Sequence, residues 1–374
     1  MQRFLYFLIA VGVLITVFLV FFPKVKKHEE KIMPIAKTEN SKQENKTFKK
    51  ISSIFVPYWA DITDLTKESD EYDRYIYFGL ETTADYGLRI KDQSHFDKFN
   101  KDVSNKDKWM TVIMTNTDVN IEVLKNKKSW EKIFNQAITH AEENKFNGIV
   151  MDLEMSVLPF ENVVQDINNF IKEFSTKIHE KNIKLALIIY GDTFYRKRPY
   201  DLFSLNKYCD EIMVMAYDFH KSRGEPGPNF PFDRRSSNEG DSNSQQYDYD
   251  FKTMIKDFLR FIPPEKLTVV FGMYGYDWQV DEKKRPSIQA KTLTFNEIKE
   301  EFLNKCKWES CVIRRDDISK ETEIDYINSK IENNVGLINY HIVWFEDEKS
   351  AAIKQKYLLE KGIGSVGYWA WGYF

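Results

Sequence analysis

The chain has 374 residues and a formal net charge of -3, and aromatic residues make up 15% of it. This charge gives no support for nucleic-acid binding, because domains that bind nucleic acids carry strongly basic surfaces. Only three cysteines and six histidines occur, without a Cys-x-x-Cys pair, so we expect neither a metal site nor a cofactor. The length suits a (β/α)₈ barrel of about 250 residues that carries an insertion.

The chain begins with an apolar segment that is long enough to cross a bilayer. Residues 4–22 are apolar except for Thr16, and about 20 apolar residues span a membrane as a helix. No small-x-small cleavage site follows, which favours an uncleaved single-pass anchor at residues 1–23 over a removed signal peptide. A buried helix of the soluble domain is the alternative, but the polar linker at residues 24–50 argues against it.

From residue 51 to residue 374, short apolar strands alternate with amphipathic helices. The predicted strands are Ser53–Tyr58, Tyr75–Leu80, Trp109–Thr115, Gly148–Glu154, Leu185–Tyr190, Ile212–Tyr217, Thr268–Met273 and Ser365–Trp371. The predicted helices with the clearest periodicity are Trp130–Asn144, Val163–Lys181, Phe251–Phe261 and Lys349–Lys361. This alternation predicts a parallel sheet covered by helices, and eight strands favour a closed (β/α)₈ TIM barrel. The alternative is an open doubly wound sheet, but no Gly-x-Gly-x-x-Gly turn follows the first strand.

Two longer segments interrupt the alternation. Residues 219–249 form a polar loop after the sixth strand, and residues from about 274 to 334 form an insertion between the seventh strand and the last helix. Long loops at the carboxyl ends of barrel strands usually shape a binding cleft, although tolerated surface loops are the alternative. Within the insertion, Cys306 and Cys311 are close enough in sequence to form a small disulfide, and Cys209 is expected to be buried.

The fourth predicted strand ends in two carboxylates. Side chains alternate along a strand, so Val150, Asp152 and Glu154 point to the same side. If that side faces into a barrel, both acids lie at the carboxyl-end mouth, where such barrels keep their active sites. Buried carboxylates are costly unless they are used or paired. The pair therefore indicates acid catalysis of glycosidic bond cleavage, or else two acids that bind a loop or an arginine.

Other polar and aromatic residues end or follow the predicted strands at the same mouth. Tyr217 and Asp218 end the sixth strand, and Trp369 ends the eighth, where it can floor a sugar or simply pack in the core. We also assign substrate binding to three residues at the ends of the first, third and seventh strands: Tyr58, Asn116 and Tyr274.

Together these residues resemble the motifs of the family 18 glycoside hydrolases, the chitinase-like (β/α)₈ barrels. The family's fourth-strand signature, Asp-Gly-x-Asp-x-Asp-x-Glu, stands here as Asn147-Gly148-Ile149-Val150-Met151-Asp152-Leu153-Glu154. Its sixth-strand motif, Met-x-Tyr-Asp, stands here as Met215-Ala216-Tyr217-Asp218. Its eighth-strand tryptophan matches Trp369. The last Asp and the Glu of the signature are kept, whereas Asn147 and Val150 replace its first two Asp residues.

Three further passages resemble the bacterial spore-cortex and germination branch of N-acetylglucosaminidases within this family. They lie at residues 224–228, 274–278 and 341–350, and the resemblance extends over about residues 51–374. The LysM repeats that often precede such barrels do not occur in this chain, and the predicted anchor and linker stand in their place.

The resemblance implies substrate-assisted retention, in which the substrate's own 2-acetamido group attacks the anomeric carbon. Glu154 is expected to protonate the glycosidic oxygen, Asp152 to stabilise the acetamido nitrogen, and Tyr217 to bind the acetamido oxygen. Trp369 is expected to floor the sugar site, with Asp218 as a nearby polar contact.

The two departures from the signature have different expected consequences. Val150 removes a carboxylate that lies beneath the Asp152 position in chitinases, so Asp152 is expected to be tuned by Tyr217 and solvent alone. This change can shift the pH optimum or slow turnover. Asn147 lies at the start of the strand, away from the mouth, and is expected to be structural.

The predicted function is a membrane-anchored, monomeric glycosidase whose substrate is an N-acetylglucosamine-containing polysaccharide, either peptidoglycan or a chitin-like polymer. The barrel is placed outside the cytoplasm because its substrate lies there, although the lysines after the anchor favour the opposite orientation. The alternatives are a non-catalytic, lectin-like barrel and a tethered scaffold for envelope proteins. Retention of Asp152, Glu154, Tyr217 and Trp369 together argues against both.

Overall fold

The computed structural model of this chain describes residues 50–66, 71–234, 247–332 and 335–374. The anchor predicted at residues 1–23 lies outside these ranges, as does the linker predicted at residues 24–50 except for its last residue. Within the described ranges, no helix combines the length and the apolar character that crossing a bilayer requires.

Fourteen strands are found in the described residues. In chain order they are β1 (Ile51–Pro57), β2 (Arg74–Thr82), β3 (Leu88–Ile90), β4 (Asp107–Met114), β5 (Gly148–Leu153), β6 (Lys184–Tyr190), β7 (Glu211–Met215), β8 (Leu267–Gly272), β9 (Tyr274–Val280), β10 (Lys291–Thr294), β11 (Glu309–Arg315), β12 (Thr322–Glu332), β13 (Val335–Phe345) and β14 (Ser365–Trp369).

Eight parallel strands close into a barrel. Their order is β1-β14-β8-β7-β6-β5-β4-β2, and pairing between β1 and β2 completes the circle, while β3 joins β2 as an antiparallel edge strand. Every predicted strand coincides with one of the eight, differing by a few residues at most at its ends. The prediction of a closed (β/α)₈ barrel is confirmed, and the open-sheet alternative is wrong because the first two strands pair.

Helices on the outside of the barrel begin at residues that suit a helix N-terminus. The helices are α1 (Gln93–Asp102), α2 (Thr117–Lys125), α3 (Lys127–Glu143), α4 (Glu161–His179), α5 (Leu202–Tyr208), α6 (Phe251–Phe258), α7 (Phe295–Ile298) and α8 (Glu348–Glu360). A side-chain oxygen accepts a backbone N–H in the first turn of seven of these helices, from Asp92, Asn116, Asn126, Asp201, Asp250, Thr294 and Asp347. Such caps satisfy amide groups that the helix itself leaves unpaired.

The insertion between β8 and β14 folds as a separate antiparallel sheet with the order β10-β9-β13-β12-β11. One face of this sheet carries Tyr274, Tyr276 and Trp278, and it packs against Tyr217 and Trp369 at the barrel mouth. The opposite face packs on α7 and on a short π-helix (Lys299–Leu303). Cys306 and Cys311 form a disulfide that packs on this opposite face. Cys209 is a buried free thiol just before β7.

The barrel interior is filled by apolar side chains below the mouth. Phe55, Trp109, Val150 and Met213 are buried there in one cluster. Asn147, at the start of β5, holds the lower end of the barrel, because its side-chain oxygen accepts a hydrogen bond from the backbone N–H of Lys108 at 3.0 Å. A buried ion pair between Arg74 and Glu211, 2.8 Å apart, lies at the amino ends of the strands, so the apolar layer separates this pair from the mouth, where such barrels keep their active sites.

Candidate active site

A cavity of about 220 Å³ opens at the carboxyl ends of the barrel strands. Its walls combine acidic, basic and aromatic side chains: Phe55, Phe78, Thr111, Asp152, Glu154, Ile188, Tyr190, Met215, Tyr217, Asp218, Lys221, Tyr274 and Trp369. Of the eight site residues predicted from sequence, six line this cavity. Concave sites with a few convergent polar groups are the usual form of a substrate pocket.

Asp152 lies at the bottom of the cavity, directly above the apolar cluster that fills the barrel interior. Its side chain points the same way as buried Val150, as the alternation along β5 requires. The residue is only 4% exposed, and its Oδ1 atom has no hydrogen-bond partner among the described residues. Burial, followed by the nearby charge of Glu154, raises the pKa of Asp152 well above its usual value.

The expectation that Tyr217 and solvent tune Asp152 is therefore wrong. Solvent scarcely reaches this carboxyl, and the groups that act on its pKa are the low-dielectric surroundings and Glu154. With Val150 below it, Asp152 rests on apolar packing where chitinases place a second carboxylate. The result is a carboxyl that holds its proton strongly and has an unsatisfied oxygen for a bound ligand.

Glu154 follows Asp152 by two residues and lies on the same side of the chain, directly after β5. A tyrosine from the neighbouring strand β6 holds its carboxyl. The hydroxyl of Tyr190 donates a hydrogen bond to the Glu154 carboxyl. Burial raises the pKa of Glu154, while the Tyr190 hydrogen bond and the nearby Lys221 pull it back down. A general acid needs this balance, since it must keep its proton near neutral pH and still release it during the reaction.

The backbone around Glu154 is braced by side chains from two other elements. The hydroxyl of Tyr200 donates to the carbonyl of Leu153 at 2.6 Å and accepts from the N–H of Met155 at 2.9 Å. Asn120 donates to the carbonyl of Glu154 at 3.0 Å. These hydrogen bonds satisfy backbone groups that lose their strand partners where β5 ends. The backbone that carries the Glu154 side chain is therefore rigid.

Asp218 lines the cavity, and a network of hydrogen bonds fixes its carboxyl in place. Its carboxyl accepts hydrogen bonds from Tyr274 and, at 2.7 Å, from Tyr276. Its backbone N–H donates to Asn229 at 2.7 Å, which holds Asp218 in a left-handed conformation with φ of 58°. Because Asn229 also donates to the Gly272 carbonyl at 3.1 Å, the loop after β7 is tied to β8.

Tyr217 and Trp369 complete the walls of the cavity, Tyr217 with a hydroxyl that can donate a hydrogen bond and Trp369 with an apolar ring. Burial, followed by the negative charge of Asp152, raises the pKa of Tyr217 well above its usual value, so its hydroxyl is a permanent donor. Trp369 packs edge-on against Phe78, with ring centroids 4.8 Å apart, and contacts Trp59 at 6.1 Å. Trp59 is half exposed at 49% and extends this aromatic wall to the surface.

The other two predicted binding residues lie elsewhere. Tyr58 directly follows β1 and packs edge-on against Trp59, with ring centroids 4.8 Å apart, but it does not line the cavity. Asn116 is exposed and uses its side-chain oxygen to cap α2, accepting from the N–H groups of Asp118 and Val119 at 3.1 and 3.2 Å. Both residues follow barrel strands, which was the only sequence signal for them.

Among the cavity residues that were not assigned from sequence, Tyr190 and Lys221 are the two that act on Glu154. Tyr190 ends a predicted strand, as Glu154 does, so its place at the mouth was available as a signal. Lys221 lies in the long loop after Asp218, and nothing in its sequence surroundings distinguishes it from other surface lysines. Only the path of that loop brings it to the cavity.

The sequence also matches known proteins. The family model of the glycosyl hydrolases family 18 matches residues 27–373. An uncharacterized glycosylase, YvbX, of Bacillus subtilis strain 168 is 26% identical over 68% of this chain and 66% of its own length. The cortical fragment-lytic enzyme of Bacillus anthracis is 20% identical over 85% of this chain and 69% of its own length.

Solved structures share the fold at low sequence identity. The Bacillus cereus spore cortex-lytic enzyme SleL is 19% identical, with a TM-score of 0.64 over 87% of this chain and 71% of that chain. The group IV chitinase of Ostrinia furnacalis is 17% identical, with a TM-score of 0.69 over 86% of this chain and 93% of that chain. A family match over most of the residues, joined to the motif residues at the barrel mouth, shows that this chain belongs to the glycosyl hydrolases family 18.

Proposed function

We propose that this protein hydrolyses β-linked, N-acetylglucosamine-containing glycans with retention of configuration at the anomeric carbon. The observation that carries the proposal is the pairing of two carboxyls with raised pKa values, Asp152 and Glu154, in one cavity. Clefts that perturb two neighbouring carboxyls in this way are typical of acid catalysis. Family membership supports the same reaction class.

Each side chain has a role that its surroundings support. Glu154 gives its proton to the glycosidic oxygen as that bond breaks, while the substrate's acetamido carbonyl oxygen bonds to the anomeric carbon. Asp152, with its unsatisfied oxygen, accepts from the acetamido N–H, and the Tyr217 hydroxyl donates to the acetamido oxygen. Water then opens the resulting oxazolinium ion and gives its proton to Glu154, which restores the acid.

The substrate class is proposed from the relatives and the cavity together. Relatives from Bacillus carry names that refer to spore cortex fragments, and structural neighbours include chitinases. These names make peptidoglycan and chitin-like glycans the two substrates to compare. We further propose that residues 1–23 anchor the protein as a single membrane span with the barrel outside the cytoplasm, where such polymers lie.

Product analysis tests this proposal directly. The full-length protein in detergent is incubated with purified peptidoglycan and with chitooligosaccharides. We expect fragments with N-acetylglucosamine at the new reducing end, released first as the β-anomer, which proton NMR detects before mutarotation. Binding of either glycan without any cleavage would instead support the non-catalytic, lectin-like barrel.

Replacing Tyr190 with phenylalanine is expected to move the alkaline limb of the activity profile to higher pH. The Tyr190 hydroxyl stabilises the ionised form of Glu154, so its loss raises the pKa of that carboxyl further. Since Glu154 must be protonated to act, activity falls as pH rises through its pKa. The measurement is kcat/KM against pH.

A matched control for this variant is Tyr195→Phe. Tyr195 is 42% exposed, and its hydroxyl donates to Asp248 at 3.0 Å, outside the cavity. This control is expected to keep the wild-type alkaline limb. An alkaline limb that stays in place or moves to lower pH in Tyr190→Phe would contradict the assignment of Glu154 as the acid.

A further inference from the structure

The cavity contains a cation, Lys221, that neither gives nor receives a proton in the reaction proposed above. Lys221 follows Asp218 by three residues and lines the same cavity as Glu154. Its Nζ atom lies 5.3 Å from the centre of the Tyr190 ring, the ring whose hydroxyl holds Glu154. Lys221 and Glu154 therefore face the same tyrosine within one cavity.

The other two cations near this site, Arg196 and Arg198, share one carboxylate, that of Asp192. Arg198 stacks on the Tyr190 ring at 3.7 Å, and Asp192 accepts from it at 2.7 and 3.1 Å. Arg196 also pairs with Asp192, at 2.8 Å. Within the part of the chain that the structure describes, no carboxylate forms an ion pair with Lys221. An unpaired ammonium in a substrate cavity is suited to bind an anionic group of the ligand.

The position of Lys221 indicates which part of the substrate it meets. In the proposed reaction, the sugar that loses its bond contacts Asp152, Tyr217 and Trp369, and Asp152 lies deep in the cavity at 4% exposure. Glu154 stands at the edge of that position and hands its proton to the departing oxygen. The departing unit therefore lies next to the Glu154 carboxyl, and Lys221 faces the tyrosine that holds this carboxyl.

We propose that Lys221 binds a carboxylate on the sugar next to the cleaved bond, on the departing side. The ligand chemistry is a sugar acid ether, such as the free lactyl group of a muramic acid residue, and this inference depends on the proposed function. Chitin has no such charge. Lys221 therefore makes the enzyme prefer acidic wall glycans over neutral ones, although Glu154 and Asp152 can cut both.

The test compares two glycans of the same length with the full-length protein. One is an alternating N-acetylglucosamine and muramic acid oligomer with free lactyl carboxylates, and the other carries the same groups as methyl amides. Lys221→Gln removes the charge, and Lys221→Arg keeps it. Lys172→Gln, on the exposed face of α4, is the control for loss of a surface lysine.

We expect Lys221→Gln to lower kcat/KM on the acidic glycan, relative to kcat/KM on the amidated glycan, by about tenfold, which corresponds to about 1.4 kcal/mol. The ratio is the readout because Lys221 also lowers the pKa of Glu154, and a change in that pKa affects both glycans alike. Lys172→Gln should keep both values near those of the wild type. Lys221→Arg should retain most of the preference for the acidic glycan. In wild type the preference should shrink at about 1 M salt, where the Debye length is about 3 Å.

Three outcomes overturn the inference, and they are distinguishable. An equal loss on both glycans would mean that Lys221 acts only on the pKa of Glu154, and no loss on either would mean that it has no role. In both cases the proposed function stands because the wild type still cuts. If the wild type cuts neither glycan, the proposed function fails and this inference fails with it.

Discussion

Replacing Glu154 with glutamine is expected to lower kcat on N-acetylglucosamine glycans by about 10²- to 10⁴-fold, the usual contribution of a general acid. Glutamine keeps the shape of the side chain and still accepts the hydrogen bond of Tyr190. It cannot give a proton to the departing oxygen. Since the binding surface is otherwise unchanged, the affinity for the uncleaved glycan should stay close to that of the wild type.

The same variant should not be less stable than the wild type. Burial raises the pKa of Glu154, so the folded protein binds its proton more tightly than the unfolded chain does. Such a group contributes stability at low pH that is lost as pH rises through the folded pKa. At alkaline pH, Glu154→Gln is therefore expected to melt at the same temperature as the wild type or higher.

The control for this variant is Glu122→Gln, because Glu122 is exposed on α2 outside the cavity. It should leave kcat unchanged. The measurements are kcat on a chitooligosaccharide, glycan affinity by calorimetry and melting temperature. Activity within about tenfold of wild type in Glu154→Gln would assign proton donation to another group.

Replacing Lys354 with methionine is expected to lower the free energy of unfolding by about 3–5 kcal/mol, the typical cost of breaking a buried ion pair. Lys354 lies on α8, is completely buried, and donates to Glu321 at 2.8 Å and to Glu346. Both carboxylates are also completely buried. Without the ammonium group, two acids are left in an apolar interior with no cation to balance them.

This buried cluster also supports the active site. Glu321 accepts from the backbone N–H groups of Asn229 and Phe230, at 2.5 and 2.8 Å. Asn229 in turn holds the backbone of Asp218. Loss of Lys354 is therefore expected to loosen the loop after β7 and to lower activity as well as stability, although Lys354 touches no part of the cavity.

Urea unfolding followed by tryptophan fluorescence measures this effect. The triple variant Lys354→Met, Glu321→Gln and Glu346→Gln removes the charges together and should recover part of the lost stability. The matched control is Lys132→Met, which breaks an exposed ion pair with Asp85 and should change stability little. If Lys354→Met is as stable as Lys132→Met, the cluster does not hold the α8 and β7 segments together.

The strand ends show how far local sequence patterns reach. The eight barrel strands were predictable because strands buried on both faces are short, apolar and bounded by polar segments. The direction of Asp152 and Glu154 followed from the alternation of side chains along one strand. Asn116 was misleading for the same reason, since a polar residue after a strand can equally cap the next helix, as it does here.

The features that depend on contacts between distant segments were not predictable. Tyr200 reaches Leu153 and Met155 from 45 or more positions along the chain, and Lys354 reaches Glu321 across 33 positions. No periodicity connects such positions. The motif spanning residues 341–350 identified a family likeness, but only the folded chain places its Glu346 beside a buried lysine.

The barrel and the two carboxyls at its mouth could be derived from the amino-acid sequence, because both follow from patterns within single strands and from the closure rules of parallel sheets. The shifts in the pKa values of those carboxyls emerged only from the folded chain. Burial sets the pKa of Asp152, and Tyr190 and Lys221 come from other segments to act on Glu154. The physical reason is that a pKa depends on everything within a few ångströms of the group, and most of those neighbours are remote in sequence.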